Sequence, residues 1–125
     1  MERPQNCVIV IFGASGDLTK RKLVPALYDL YKRKLMPDSF AVLGIGRTRL
    51  DDDSFRDNMR ESIKTFGHND QVESSDEHQF LQRLYYLPID TKSAEDYPKI
   101  KTKLESVNQE QNTGGNYLFY MSTPP

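Results

Sequence analysis

The residues best suited to bind a ligand lie in the glycine-rich segment Gly13–Gly16, between an apolar run and a predicted helix. Glycine tolerates positive φ and lets a ligand approach the backbone closely. The free amides and the dipole of a helix N-terminus form an anion site. The segment therefore predicts phosphate binding, and in a first βα unit the usual anion is the pyrophosphate of a dinucleotide.

A cluster of positive charge, Lys20–Lys22, follows this segment where a helix begins. Cations are unfavourable there because the helix dipole already presents positive charge, so the cluster suggests a negative ligand. The glycine spacing departs from G-x-G-x-x-G and from the P-loop pattern G-x-x-x-x-G-K-[ST]. A plain tight turn between strand and helix is therefore the alternative interpretation.

Arg47 and Thr48 follow the second apolar run and predict the site of a 2′-phosphate. A free ribose 2′-hydroxyl would favour Asp or Glu at this position, whereas a 2′-phosphate favours Arg. Arg47 lies 47 − 13 = 34 residues after Gly13, against the usual spacing of about 20. A longer first helix, interrupted by Pro25, accounts for the difference. The alternative is an ordinary surface arginine.

Asp90 and Thr91 follow the third apolar run. Ligands of open α/β sheets bind beyond the carboxyl ends of the strands, so both residues could contact the adenosine or ribose. Alternatively, Asp90 or Ser93 simply caps the next helix.

The elements that would position these residues alternate between strand and helix. Apolar runs predict strands at Val8–Phe12, Phe40–Ile45, Leu84–Ile89 and Tyr117–Met121, and two helices are predicted to start near Asp51 and Ser93. Because of Pro25, the first helix either starts near Val24 or kinks there after one opening turn. The polar residues 68–79 predict a loop with room for one short helix, and Pro88 predicts an edge strand. The alternation predicts an α/β, Rossmann-like, doubly wound parallel sheet of about four strands with helices on both faces.

Three helices carry apolar stripes that predict their buried faces. The stripes are Leu23, Ala26, Leu27, Leu30 and Tyr31 in the first helix, Phe55, Met59, Ile63 and Phe66 in the second, and Tyr97, Ile100, Leu104 and Val107 in the last. The chain stops at Pro125, directly after a strand, whereas a doubly wound sheet usually continues with another helix. We therefore expect a partial domain, residues 1–125, of a longer protein.

Composition excludes several classes of protein. The formal net charge of −1 gives no reason to expect nucleic acid or an anionic membrane as a partner. Cys7 is the only cysteine, so no intrachain disulfide can form. No apolar stretch approaches the ~20 residues of a membrane span. We expect a cytoplasmic protein and predict no metal site.

The sequence resembles the N-terminal coenzyme domain of the glucose-6-phosphate dehydrogenase family. The matching stretches are VIFGASGDLTKRKLVPALYDLY, GIGRTRL and YLFYMSTPP, in order and over most of the chain. The resemblance implies oxidation of glucose 6-phosphate to 6-phosphogluconolactone with NADP as hydride acceptor, in the pentose phosphate pathway. It also implies that family members pair through a later domain, so this chain is expected to be a monomer.

The resemblance also implies roles for individual residues. The pyrophosphate would be lined by Gly13, Ala14, Ser15, Gly16, Asp17 and Leu18, with Thr19 and Lys20 also assigned to the coenzyme. Arg47 and Thr48 would hold the 2′-phosphate, and Lys22 would bind the phosphate or sugar of the substrate. Pro124, in the segment after the fourth strand, would lie beside the nicotinamide.

The catalytic segments of the family are absent from this sequence. Neither the His-Tyr-x-x-x-x-Glu-like segment with the catalytic base nor the Glu-Lys-Pro segment occurs, and His68 and His78 match nothing catalytic. Proton removal needs a base within hydrogen-bond reach of the sugar hydroxyl. We therefore expect the chain alone to bind NADP without turnover.

Two other functions remain open. A reductase of the short-chain type also uses a Gly-Ala-Ser-Gly loop, but it needs a Tyr-x-x-x-Lys pair further along the chain. One such pair, Tyr28 and Lys32, lies in the first helix, where it is wrongly placed for that role. A binding or regulatory module without enzymatic activity is the other alternative, and absence of dinucleotide binding would favour it.

Overall fold

The structure, a computed structural model, describes residues 6–13, 22–66, 74–89 and 94–121. Its strands are β1 (Cys7–Phe12), β2 (Phe40–Gly46), β3 (Leu84–Pro88) and β4 (Tyr117–Met121). Its helices are α1 (Val24–Lys32), α2 (Asp52–Phe66), α3 (Ser74–Leu81) and α4 (Tyr97–Gln111), the last preceded by a 3₁₀ turn at Ala94–Asp96. None of the helices described is long and apolar enough to cross a membrane.

The strands form one parallel sheet in the order β3-β2-β1-β4. β1 is central because it pairs with β2 on one side and β4 on the other: Val8 is in register with Ala41 and with Tyr117. β2 is buried along its whole length, as expected for an inner strand of a sheet covered on both faces. The predicted α/β parallel sheet is confirmed.

Helices cover both faces of this sheet, and each face has its own core. One core joins the sheet to α1, α2 and α3 through Phe55, Met59 and Phe80. Leu104 and Val107 of α4 belong to the core on the opposite face. The β-α alternation therefore produces the two-sided packing that the sequence predicted.

Two prolines occupy positions that their chemistry permits. Pro25 lies in the first turn of α1, where its missing N–H costs no helical hydrogen bond. The predicted start near Val24 is thus confirmed. Pro88 ends β3, which is an edge strand as predicted. The region 68–79, predicted to hold at most one short helix, contains the start of α3.

The predicted buried stripe of α1 was wrong in part. Ala26 and Leu30 are exposed, whereas Val24 and Tyr28 are buried at 0% and 2% exposure. The buried face lies about one residue, or 100° of helix rotation, from the predicted one. The reason is the packing of Tyr28 on Phe80 of α3, with ring centroids 5.1 Å apart, a contact that the pattern of α1 alone does not contain.

The stripe of α4 was correct except at its first residue. Leu104 and Val107 are buried, but Tyr97 is 51% exposed. Tyr97 borders an open groove with Tyr117 and Phe119 of β4, which are themselves exposed.

Candidate dinucleotide-binding site

Gly13 makes the turn at the carboxyl end of β1. Its φ is +82°, a value that residues with a Cβ rarely adopt, and its N–H donates to the carbonyl oxygen of Ile45 at 2.8 Å. This hydrogen bond joins the turn to the end of β2. The glycine is therefore required by the backbone, as the sequence predicted for a turn between strand and helix.

Arg47 and Thr48 directly follow β2, at the same edge of the sheet as Gly13, and both are exposed. The Ile89 N–H donates to the carbonyl oxygen of Gly46 at 2.9 Å, which extends the β2–β3 pairing to the last residue of β2, directly before this loop. Parallel strands bring their carboxyl ends to one edge, where ligands of open α/β sheets bind. The loop from Arg47 to Asp51 thus lies where a dinucleotide would be expected.

A cavity of about 400 Å³ opens beside this loop. It is lined by residues from the ends of β2 and β3 and from the start of α4: Arg47, Arg49, Pro88, Ile89, Asp96 and Lys99. Pro88 and Ile89 provide an apolar wall, and the remaining residues are charged. Such a combination can hold a flat, apolar base together with a negatively charged group.

The charges around the cavity favour an anion. Lys99 is paired with Asp96, with the Nζ and Oδ1 atoms 2.9 Å apart. In contrast, no carboxylate of the described residues lies within ion-pair distance of Arg47 or Arg49. The guanidinium of an arginine can bind a phosphate through two parallel N–H groups. The excess positive charge beside the apolar wall therefore fits a phosphorylated ligand.

The other predicted site residues divide into two groups. Lys22 is exposed, two residues before α1, and does not line the cavity. The rest lie outside the described residues: Ala14, Ser15, Gly16, Asp17, Leu18, Thr19, Lys20, Asp90, Thr91 and Pro124. Their roles stay predictions. That His68 has no catalytic role also stays a prediction, whereas His78 is an exposed residue of α3.

Sequence reasoning missed three charged residues of the cavity. Arg49 lies two residues after Arg47, so its presence in the same loop was available as a signal. Asp96 and Lys99 come from the start of α4, about fifty residues further along the chain. Nothing in the local pattern links them to the loop, because only the packing of α4 on the sheet brings them together.

Comparison with known proteins gives a consistent result. The family model for the NAD binding domain of glucose-6-phosphate dehydrogenase matches residues 10–125. Glucose-6-phosphate 1-dehydrogenase of Aggregatibacter actinomycetemcomitans is 46% identical over 123 residues, which are 98% of this chain and 24% of that protein. The enzyme of Leuconostoc mesenteroides is 36% identical over 118 residues, covering 94% and 24%.

Solved structures agree with this assignment. A glucose-6-phosphate dehydrogenase in complex with its substrate glucose-6-phosphate superimposes with a TM-score of 0.81 at 31% identity, covering 100% of this chain and 26% of that one. The chain spans about a quarter of the length of these relatives. The sheet is parallel, and a glycine with positive φ follows β1. The match of the family model to residues 10–125 shows that the chain belongs to the glucose-6-phosphate dehydrogenase family, in its NAD binding domain.

Proposed function

We propose that this chain binds NADP and is the coenzyme domain of a glucose-6-phosphate dehydrogenase. The observation that carries the proposal is the pair Arg47 and Arg49, which lies without a described carboxylate partner beside a cavity at the carboxyl ends of β2 and β3. NAD has no group that would need this charge at that position. The 2′-phosphate of NADP does.

Arg47 and Thr48 take different parts in the proposed contact. The Arg47 guanidinium would bind two phosphate oxygens, and its flat face would stack on the adenine. The Thr48 hydroxyl would donate one further hydrogen bond. Pro88 and Ile89 would cover the other side of the base. The ligand would in this way gain both charge-assisted hydrogen bonds and apolar contact.

The turn at Gly13 supports the rest of the coenzyme. Its positive φ turns the backbone away from β1 at the place where the predicted loop to Lys20 begins. In the proposed complex the amides of that loop would face the pyrophosphate. The individual contacts of Ala14–Lys20, Asp90, Thr91 and Pro124 are part of the same proposal.

The proposed reaction oxidises C1 of glucose 6-phosphate. NADP accepts the hydride from C1, and the proton of the C1 hydroxyl passes to a base, which gives 6-phosphogluconolactone. Lys22 is exposed near the start of α1, where its charge could attract the phosphate of the substrate. This sequence contains neither of the two catalytic segments that the resemblance leads one to expect. We therefore propose that the 125-residue chain alone binds coenzyme without turnover.

Calorimetric titration of the chain with NADP, and separately with NAD, tests this function. We expect NADP to bind more tightly, and Arg47→Ala to weaken NADP binding by about ten- to a hundredfold, as expected for loss of a charge-assisted hydrogen bond of about 1.5–3 kcal/mol. Arg33→Ala is the matched control. It removes the same charge from a largely exposed arginine at the end of α1, where Asp29 is its partner at 3.2 Å.

The outcomes separate the candidate functions. Equal binding of NADP and NAD would exclude the 2′-phosphate assignment but keep a dinucleotide domain. No binding of either coenzyme by a folded chain would favour a module without enzymatic function. A similar loss in Arg33→Ala would mean that net charge, and not the position of Arg47, determines the affinity.

A further inference from the structure

One buried residue of β3 holds the loop between β2 and α2 at two points. The hydroxyl of Tyr86 donates to the carbonyl oxygen of Thr48 at 2.7 Å. The backbone N–H of the same residue donates to Oδ1 of Asp52 at 2.8 Å. Thr48 lies near the start of the loop, and Asp52 begins α2. Tyr86 therefore binds both sides of the segment that carries Arg49 and directly follows Arg47.

Tyr86 is itself held firmly. It is 2% exposed, and its ring packs on Phe55 of α2 with centroids 5.0 Å apart. Asp52 is also fixed from another direction, because its Oδ2 lies 2.9 Å from Nζ of Lys103 in α4. Three elements, β3, α2 and α4, thus meet at this point. A hydroxyl fixed in this way leaves the Thr48 peptide little freedom to rotate.

Tyr86 does not line the cavity, so it has no direct contact to offer the ligand. Its effect would pass through the backbone of Thr48 to the side chains on either side. An arginine on a free loop must be ordered when the ligand binds, which reduces affinity, whereas a loop held in place avoids part of that cost. Only a ligand that contacts the side chains of this loop gains affinity from its ordering.

We propose that Tyr86 is a positioning residue that raises the preference for NADP over NAD by fixing the peptide between Arg47 and Arg49. The proposal rests on the proposed function, in which Arg47 binds the 2′-phosphate. NAD, which lacks that phosphate, keeps only the stacking of Arg47 on its adenine and therefore gains less from an ordered loop. Loss of the Tyr86 hydroxyl should therefore weaken NADP binding selectively.

The test is Tyr86→Phe, titrated calorimetrically with NADP and with NAD on the intact chain. The ring and the backbone N–H remain, so the core and the Asp52 hydrogen bond are retained. We expect the Kd for NADP to rise about three- to tenfold, equivalent to one neutral hydrogen bond, and the Kd for NAD to change less than about twofold. The far-ultraviolet circular dichroism and the melting temperature of each variant check that it is folded.

Tyr85→Phe is the matched control. It removes the same atom from the neighbouring residue of β3, where the Tyr85 hydroxyl accepts a hydrogen bond of 2.8 Å from Nε2 of Gln111. Tyr85 packs in the core on the other face of the sheet, and its hydroxyl is joined to α4 rather than to the loop. We expect Tyr85→Phe to show the same ratio of the Kd for NAD to the Kd for NADP as the unchanged chain.

Arg47→Ala, measured in the same series, separates failure of this proposal from failure of the proposed function. If Arg47→Ala keeps the NADP preference, or if the unchanged chain binds no NADP, the proposed function fails and this inference with it. If Arg47→Ala loses the preference but Tyr86→Phe keeps it, only the inference about Tyr86 is overturned. An equal weakening of both coenzymes in Tyr86→Phe, or the same change in Tyr85→Phe, would show a general structural effect and would also overturn it.

Discussion

Arg47 and Asp51 lie at opposite ends of one loop, and the partners of each side chain determine whether its charge is available to a ligand. Arg47 is exposed, and no carboxylate of the described residues lies within ion-pair distance of it. Asp51, in contrast, uses its carboxylate locally: Oδ1 accepts the backbone N–H of Ser54 at 2.7 Å in the first turn of α2. At this scale the loop thus has two positive charges, Arg47 and Arg49, available to a ligand and one negative charge committed to a helix cap.

The pH dependence of stability should reveal the Asp51 cap. The hydrogen bonds from Ser54 lower the pKa of the Asp51 carboxyl below its usual value of 3.8. A carboxyl with a lowered pKa in the folded state stabilises the fold above its unfolded pKa, and this contribution disappears as the pH falls through the folded pKa. We therefore expect Asp51→Ala to be less stable than the unchanged chain at neutral pH.

Urea unfolding at a series of pH values measures this effect. The difference in free energy of unfolding between the unchanged chain and Asp51→Ala should shrink between about pH 5 and pH 2. Asp57→Ala is the control, since Asp57 is an exposed residue further along α2. A difference that stays constant over that range would contradict the role of the ionised carboxylate.

The residues of the candidate site differed in how well the sequence predicted them. Gly13 and Arg47 were predictable because each lies directly after an apolar strand, where local chemistry indicates a turn or a ligand. Lys99 and Tyr86 were not predictable. Lys99 reaches the cavity only through the packing of α4, and Tyr86 has the same local pattern as other aromatic residues of a strand. Their roles depend on tertiary contacts that no local pattern records.

At the scale of elements, α2, β3 and α4 are joined through one side chain. Asp52 accepts the N–H of Tyr86 with one oxygen and pairs with Lys103 through the other. β3 is an edge strand, so this carboxylate satisfies a backbone N–H at the edge that faces no other strand among the described residues. Of the two contacts, we expect the hydrogen bond to matter more, since both charges are partly exposed and screened by water.

Two substitutions at Asp52 separate these contributions. Asp52→Ala leaves the buried N–H of Tyr86 without this acceptor and should lower the free energy of unfolding by about 1–3 kcal/mol. Asp52→Asn keeps an oxygen for that N–H and loses only the charge, which should cost about 1 kcal/mol or less. Chemical denaturation of both variants provides the measurement. Equal losses would show that the pair with Lys103 dominates instead.

The positions of helices and strands were predicted well where prolines and apolar runs marked them. The buried face of a helix was predicted less well, because it depends on packing against neighbouring elements. Pro25 and Pro88 indicated a helix start and an edge strand, and both predictions were confirmed. The buried face of α1 differs from the predicted one because Tyr28 packs on Phe80 of α3. For the region where α3 begins, the sequence predicted only a loop with room for one short helix. Periodicity gives the apolar stripe of a helix, but the neighbouring elements decide which part of it is covered.

At the scale of the whole molecule, both faces of the sheet are poorly covered at β4. Leu118 and Phe119 are 59% and 57% exposed, although they point to opposite faces of the sheet. Within the described residues, β4 also has an unpaired edge. An exposed, apolar edge strand is a site for pairing with another chain.

We therefore expect the 125-residue chain to associate with itself as its concentration rises. Leu118→Lys should reduce this association, because a lysine on an edge strand opposes pairing between copies. Sedimentation velocity over a range of concentrations measures the change, and Leu30→Lys, at a leucine of α1 that is 38% exposed, serves as a control for the added charge. A chain that sediments as a monomer at every concentration would agree instead with the monomer expected from the sequence.

Of the four described strands, β1 is synthesised first, and β4, one of its two neighbours in the sheet, is synthesised last. Val8 is paired with Ala41, 41 − 8 = 33 residues later, and with Tyr117, 117 − 8 = 109 residues later. At a translation rate of roughly 5–20 residues per second, the 117 − 41 = 76 residues between these partners take about 4–15 s to make. During that interval the β1 edge that β4 will occupy is open on the ribosome. The risk of misassembly during translation is therefore concentrated in the first-made of the four described strands.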